Sequence, residues 1–185
     1  MAKYQAGMLV VYGNLGVREI ETVGPQSFCG EPAKDYYTLR PYFSDSHDRS
    51  YIPTEKEDVL RPVSPAEQIT VDLEKIKTEE LPAPVSNNQT VLAEHYQAVI
   101  HTNDFYEYLK LYKELSRKQI AQRGRGRKVN AMDSHFYQMT EHVLREELAA
   151  ALHETQEDAG KRLAEAVKRT ASMQKTEAVL LFWAA

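Results

Sequence analysis

The residues whose types and spacing come closest to a binding site are Gln122-Arg123-Gly124-Arg125-Gly126-Arg127-Lys128. Three guanidinium groups and an ammonium on a glycine-punctuated stretch suit phosphate oxygens, since arginine presents paired donors. A solvated loop between two helices has the same composition, so the pattern alone leaves both readings open. Other chemistries find less. Gly124-Arg125-Gly126 lacks a third glycine and follows no strand, so it is not a phosphate-cradling loop. The six histidines (His47, His95, His101, His135, His142, His153) include no HExxH motif. His135 and His142 can share one side of a helix, without an acid at ligand spacing. Cys29, the single cysteine, can form neither an internal disulfide nor a cysteine-type zinc site. With no histidine in local reach it reads as a loop thiol rather than a nucleophile. Glu146 and Glu147 diverge by about 100° on a helix, which excludes an acid–base dyad. The sequence therefore predicts no enzyme, no cofactor and no metal.

Length and composition set the frame for those residues. The 185 residues, 42% hydrophobic and 27% charged, predict one globular domain or two small ones. The N-terminal residues lack the apolar core of a signal peptide, and the longest apolar run, Ala178–Ala185, spans eight residues, too short to cross a membrane. A cytoplasmic protein without membrane contact is the expectation. Net charge is −4, but residues 103–128 carry eight basic groups against three acidic ones, one basic island in an acidic chain.

Two kinds of element must position these groups. Met8–Tyr12 is a β-branched and aromatic run ending at the turn signal Gly13-Asn14, and further strands are predicted at 16–23, 35–40 and 49–52. Short strands with tight turns predict an α+β protein that opens on a small SH3-like or Tudor-like β-barrel. After Val63 the pattern turns helical. Ser64-Pro65-Ala66-Glu67 reads as a capping box opening a helix to about Glu79. The proline-bearing stretch 81–88 reads as a linker. Helices follow with Val91, Leu92, Tyr96, Val99 and Ile100, then with Phe105, Leu109, Tyr112 and Leu115, on their apolar sides. Asn130 with Asp133 opens a fourth helix and Thr155 with Asp158 a fifth, giving an all-α region of about five helices. The expected domains are 1–62, 63–170 and a tail, 171–185.

Several stretches, in this order, resemble the CarD/CdnL family of bacterial transcription regulators, whose N-terminal domain is also similar to one in transcription-repair coupling factor. They are Ala6–Tyr12 with Gly16-Val17, Asp35–Leu39, Tyr51-Ile52-Pro53, Leu60–Val63, Tyr96 through Asp104, and Asn130 through Leu148, together covering about residues 3–168. The resemblance implies a Tudor-like domain that binds the RNA polymerase β subunit by extending one of its sheets, and a helical domain that touches promoter DNA at the upstream edge of the bubble. It implies stabilisation of the open promoter complex, and the chain is separately expected to be a monomer. On this reading Tyr37, Leu39, Arg49 and Tyr51 belong to the strands that meet polymerase. Leu92, Lys113, Arg117, Lys118, Arg123, Arg125, Arg127 and Lys128 form the DNA-binding set, through backbone and minor groove.

The chain departs from the family where a tryptophan wedge is common. Leu92 stands there, flanked by Glu94, His95 and Gln97, and Leu15 replaces the histidine often found in the first turn. Leu92 is therefore either an apolar wedge or plain helix core. The only tryptophan, Trp183, lies in the tail. Two other functions compete: a protein-only adaptor that docks on polymerase without touching promoter DNA, and a small RNA-binding module using the arginine–glycine stretch.

Overall fold

The computed structural model describes residues 2–28, 30, 32–82 and 88–168. Cys29, most of the predicted linker and the tail from 169 onward lie outside the described residues. The chain divides into two compact units, Met1–Val63 and Ser64–Ala185.

The first unit is a five-stranded antiparallel sheet: β1 (Leu9–Tyr12), β2 (Val17–Gln26), β3 (Lys34–Pro41), β4 (Ser50–Pro53) and β5 (Leu60–Pro62). Its spatial order is β4-β3-β2-β1-β5. The predicted barrel is thereby corrected. β4 and β5 are the two outer strands and do not pair with each other. They have four and three residues and each ends at a proline, which has no N–H for a ladder, and the 3-10 segment Thr54–Val59 carries the chain between them. The sheet remains open.

The β1–β2 turn depends on Gly13 and Gly16, both at positive φ (49° and 78°), a conformation that glycine adopts without steric cost. One face of the sheet carries the core: Val10, Ile20, Tyr37, Leu39, Ile52 and Leu60, closed over by Tyr4. Tyr37 is fully buried, and its hydroxyl donates to Glu57 Oε2 at 2.6 Å while accepting from the Lys3 amide at 2.8 Å. Burial, followed by the hydrogen bond to Glu57, raises the Tyr37 pKa and keeps the phenol neutral. In β2, Glu21 is an extra residue between the paired positions Ile20 and Thr22. This bulge bends the long strand locally.

The second unit contains α1 (Ala66–Thr78), α2 (Gln89–Thr102), α3 (Phe105–Gly124), α4 (Ala131–Leu152) and α5 (156–168), five helices among the described residues. Asn88, Asp104 and Asn130 cap α2, α3 and α4 by accepting from the amides of Thr90, Glu107 and Met132. Thr155 and Asp158 cap α5 as the sequence predicts, with the Asp158 amide donating to Thr155 Oγ1 at 3.1 Å. Two predicted caps differ. Ser64 does not cap α1; both its amide and its hydroxyl donate to Glu147 of α4. Asp133 does not complete a box with Asn130, because it turns into the interior. In both cases a long-range ionic or polar partner outbids the local one.

Candidate functional site

In the first unit, among the described residues, β4 pairs only with β3, so its outer side carries backbone N–H and C=O groups with no ladder partner there. The register sets Tyr51 against Thr38 and Ile52 against Tyr37. Alternation then sends Ile52 to the core and Tyr51 to the opposite face. Tyr51 is 42% exposed. Its ring lies 5.0 Å from that of Phe28, which in turn lies 5.2 Å from Tyr36, both edge to face. The result is an exposed aromatic patch beside the open edge. No local spacing groups these three rings, although Tyr36 and Tyr51 alternate with the core residues Tyr37 and Ile52.

The other predicted polymerase-binding residues are placed differently. β3 lies between β2 and β4 and is not an edge, and Tyr37 and Leu39 on it are fully buried. They offer no surface to a partner and serve as core instead, which corrects their assignment as contacts. Arg49 sits just before β4 and holds Glu21 in a two-point ion pair, Nε–Oε2 2.6 Å and Nη2–Oε1 3.0 Å. Its fork is already engaged within the sheet.

In the second unit the basic island separates into committed and free charges. Lys113 is fully buried; its Nζ donates to the carbonyls of Ile76 and, at 2.7 Å, Glu79, capping the C-terminal end of α1. Burial pulls its pKa down to about 8, with Arg117 adding to the effect and Glu79 opposing it. Lys118 Nζ donates to Asp133 Oδ1 at 2.8 Å and to the Tyr96 hydroxyl at 3.3 Å, tying α2, α3 and α4 together. Burial, reinforced by the Asp133 charge, strongly raises the Tyr96 pKa. Arg117 is half-buried, and its Nε and Nη2 have no hydrogen-bond partner among the described residues. Lys113 is thus an internal tie rather than a DNA contact because it is buried, and Lys118, half-buried, is a second tie because Asp133 and Tyr96 hold its ammonium.

Arg123, Arg125, Arg127 and Lys128 are all exposed, and none forms an ion pair among the described residues. They are not on a slack loop. The Arg127 amide donates to the Gln122 carbonyl at 2.9 Å and the Gly126 amide to that of Arg123 at 3.0 Å, with Gly126 at φ 65°. This is a Schellman helix end with glycine in the left-handed position that the motif requires. Four cations therefore surround the end of α3. The helix dipole there offsets about half a charge and leaves the patch strongly positive.

Leu92 is 3% exposed and packs with Tyr96, Leu111, Leu115 and Phe136. The wedge alternative is corrected: nothing apolar at this position reaches a ligand. Among the described residues no group of three or more histidine, cysteine or acidic side chains could hold a metal, and no helix is long and apolar enough to cross a membrane. No protein-family model matches the chain, and no curated protein matches it in sequence.

Proposed function

We propose that the chain is a CarD-like transcription regulator whose first unit docks on the RNA polymerase β subunit through β4. The observation that carries this reading is the open outer edge of β4, beside the Phe28–Tyr36–Tyr51 patch. An open edge lets a partner strand satisfy its backbone donors and acceptors, and neighbouring side chains then select the partner. The second unit contributes the four exposed cations at the end of α3, which fit DNA phosphates. That contact positions the protein on promoter DNA without reading sequence. Stabilisation of the open complex then comes from holding polymerase and upstream DNA together, with no inserted wedge.

The burial of Leu92 favours a second reading, the protein-only adaptor, in which the helical unit binds protein and the basic helix end stays in solvent. Capture experiments separate the two. The full chain should retain RNA polymerase and its isolated β fragment. It should also bind promoter DNA with an affinity that falls steeply as salt rises. Retention of polymerase without salt-dependent DNA binding supports the adaptor. Failure to retain either polymerase or the β fragment overturns the proposal.

A further inference from the structure

In the second unit, α3, α4 and α5 leave a groove of about 210 Å³. Its apolar lining comes from Tyr112 and Ile120 of α3, Tyr137 of α4, and Ala164 and Val167 of α5. The Tyr112 and Tyr137 rings stack with centroids 5.0 Å apart, and Tyr137 is the half-buried member of the pair. Ile120 is 60% exposed, although the α3 apolar residues Leu109, Leu111, Tyr112 and Leu115 are buried. Among the described residues the charged side chains of the lining are Arg123 and Lys168, both cationic and both exposed. Glu141, whose charge is felt at the Tyr112 hydroxyl, lies outside the lining. Tyr112, Ser116, Ile120 and Arg123 follow one another at helical spacing along one side of α3. The groove therefore runs into the basic helix end, which Arg123 shares with Arg125, Arg127 and Lys128.

We propose that this groove receives one unpaired base of single-stranded DNA, with the flanking phosphates on Arg123, Lys168 and the basic helix end. The inference rests on the reading that the second unit meets promoter DNA, and it names the form of DNA that this unit holds. Three observations choose the occupant. First, the charged lining is wholly cationic, which calls for an anion. The sequence beyond Lys168 does not reverse that sign, since Arg169 and Lys175 stand against Glu177 alone. Second, the cations border a tyrosine-bearing apolar surface. A nucleotide brings a flat ring and a phosphate in one ligand, whereas the carboxylates of an acidic peptide bring no ring. Third, the size suits one base. A cavity of about 150 Å³ takes a single benzene, so this groove has room for one base and is too small for a base pair. Stacking on aromatic side chains accepts any base, in keeping with a contact that reads no sequence. The base is received by the protein, and no wedge enters the DNA.

Fluorescence anisotropy of the full chain with labelled oligothymidylate, and with an abasic strand carrying the same number of phosphates, isolates the base. Oligothymidylate should bind at least about fivefold more tightly, the lower end for one base on an aromatic surface. Tyr137→Leu removes a ring and should bring the ratio of the two affinities close to one. Ile120→Ser, at an exposed position, should lower the same ratio should Tyr137→Leu disturb the packing of α4. Arg125→Gln, outside the groove lining, should weaken both strands and leave the ratio unchanged. Equal binding of the two strands overturns the inference while leaving the phosphate contacts of the proposed function intact. A preference for thymidylate that ignores both Tyr137→Leu and Ile120→Ser overturns it too, because the base then sits elsewhere. Oligoglutamate that displaces oligothymidylate at equal charge overturns it in favour of an acidic peptide, and tighter binding of oligouridylate does so in favour of RNA. Binding of neither strand overturns this inference together with the DNA half of the proposed function, and polymerase retention is unaffected by that result.

Discussion

Leu92→Trp distinguishes the buried from the DNA-facing account of α2. Leu92 is 3% exposed and enclosed by Tyr96, Leu111, Leu115 and Phe136, and Tyr96 is itself fixed by its hydrogen bond to Asp133. An indole is considerably larger than the leucine side chain that these neighbours enclose. Overpacking of a well-packed site costs about 1–3 kcal/mol. For a unit of roughly 100 residues each kcal/mol moves Tm by about 4–8 °C, so a mid-range 2 kcal/mol lowers the midpoint by roughly 8–16 °C. Leu92→Ala tests the same packing from the other side: a leucine-to-alanine cavity costs about 2–5 kcal/mol, so this variant should melt lower still or comparably low. Thermal unfolding by far-UV circular dichroism reads both, and open-complex lifetime is measured on the same preparations. The expected outcome is two destabilised proteins with no gain in lifetime. A Leu92→Trp protein that melts like the parent and prolongs the open complex refutes the buried placement, because only a surface ring avoids the overpacking and reaches an unstacked base.

Other perturbations follow from the same interior. Lys113 has a folded pKa of about 8 against an ordinary 10.5, so between these values the unfolded chain holds the extra proton and stability rises with pH. Denaturant unfolding should show a gain of about 2 kcal/mol from pH 7 to 9.5. This gain should be absent in Lys113→Met, and above about pH 10 it should be opposed by Tyr96 and Tyr112, which the fold holds neutral. Asp133→Ala strands the Lys118 ammonium, whose side chain is 24% exposed, and should cost about 2–3 kcal/mol in urea unfolding, below the usual range for a fully buried pair. Replacing Arg123, Arg125, Arg127 and Lys128 by glutamine should lower promoter affinity evenly across sequences. The slope of log affinity against log salt should flatten by about one unit per lost contact.

The parts of this structure that were legible from sequence are those decided locally. The Met8–Tyr12 run, the Gly13-Asn14 turn signal and the caps Asn130 and Thr155 depend on neighbours a few positions away; the first strand forms at Leu9–Tyr12, the chain turns directly after it, and both caps form. Sheet closure was not legible, because it turns on whether β4 meets β5, and short strands ending in Pro53 and Pro62 leave that to tertiary geometry. Ser64 does not act as the cap its spacing predicts, because its partner, Glu147, is 83 positions distant. Lys113 and Lys118 read as surface charge because lysine is seldom buried without partners, and of the two only Lys113 is fully buried. Here the partners are carbonyls at the end of α1 and the Asp133 carboxylate, which no local spacing reveals. Of the candidate sites, the exposed helix end was visible as composition. Its Schellman geometry rests on Gly126 alone among the glycines of that stretch, since Gly124 is helical.

The central claim is that β4 pairs with a strand of the polymerase β subunit, and backbone amide exchange tests it most directly. Hydrogen–deuterium exchange of the full chain should be followed by mass spectrometry with and without the isolated β fragment. The account predicts that amides of residues 50–52 slow markedly on binding while those of β5, at the opposite edge, keep their rates. Binding of the β fragment with unchanged exchange in β4, or with protection confined to β5, contradicts it.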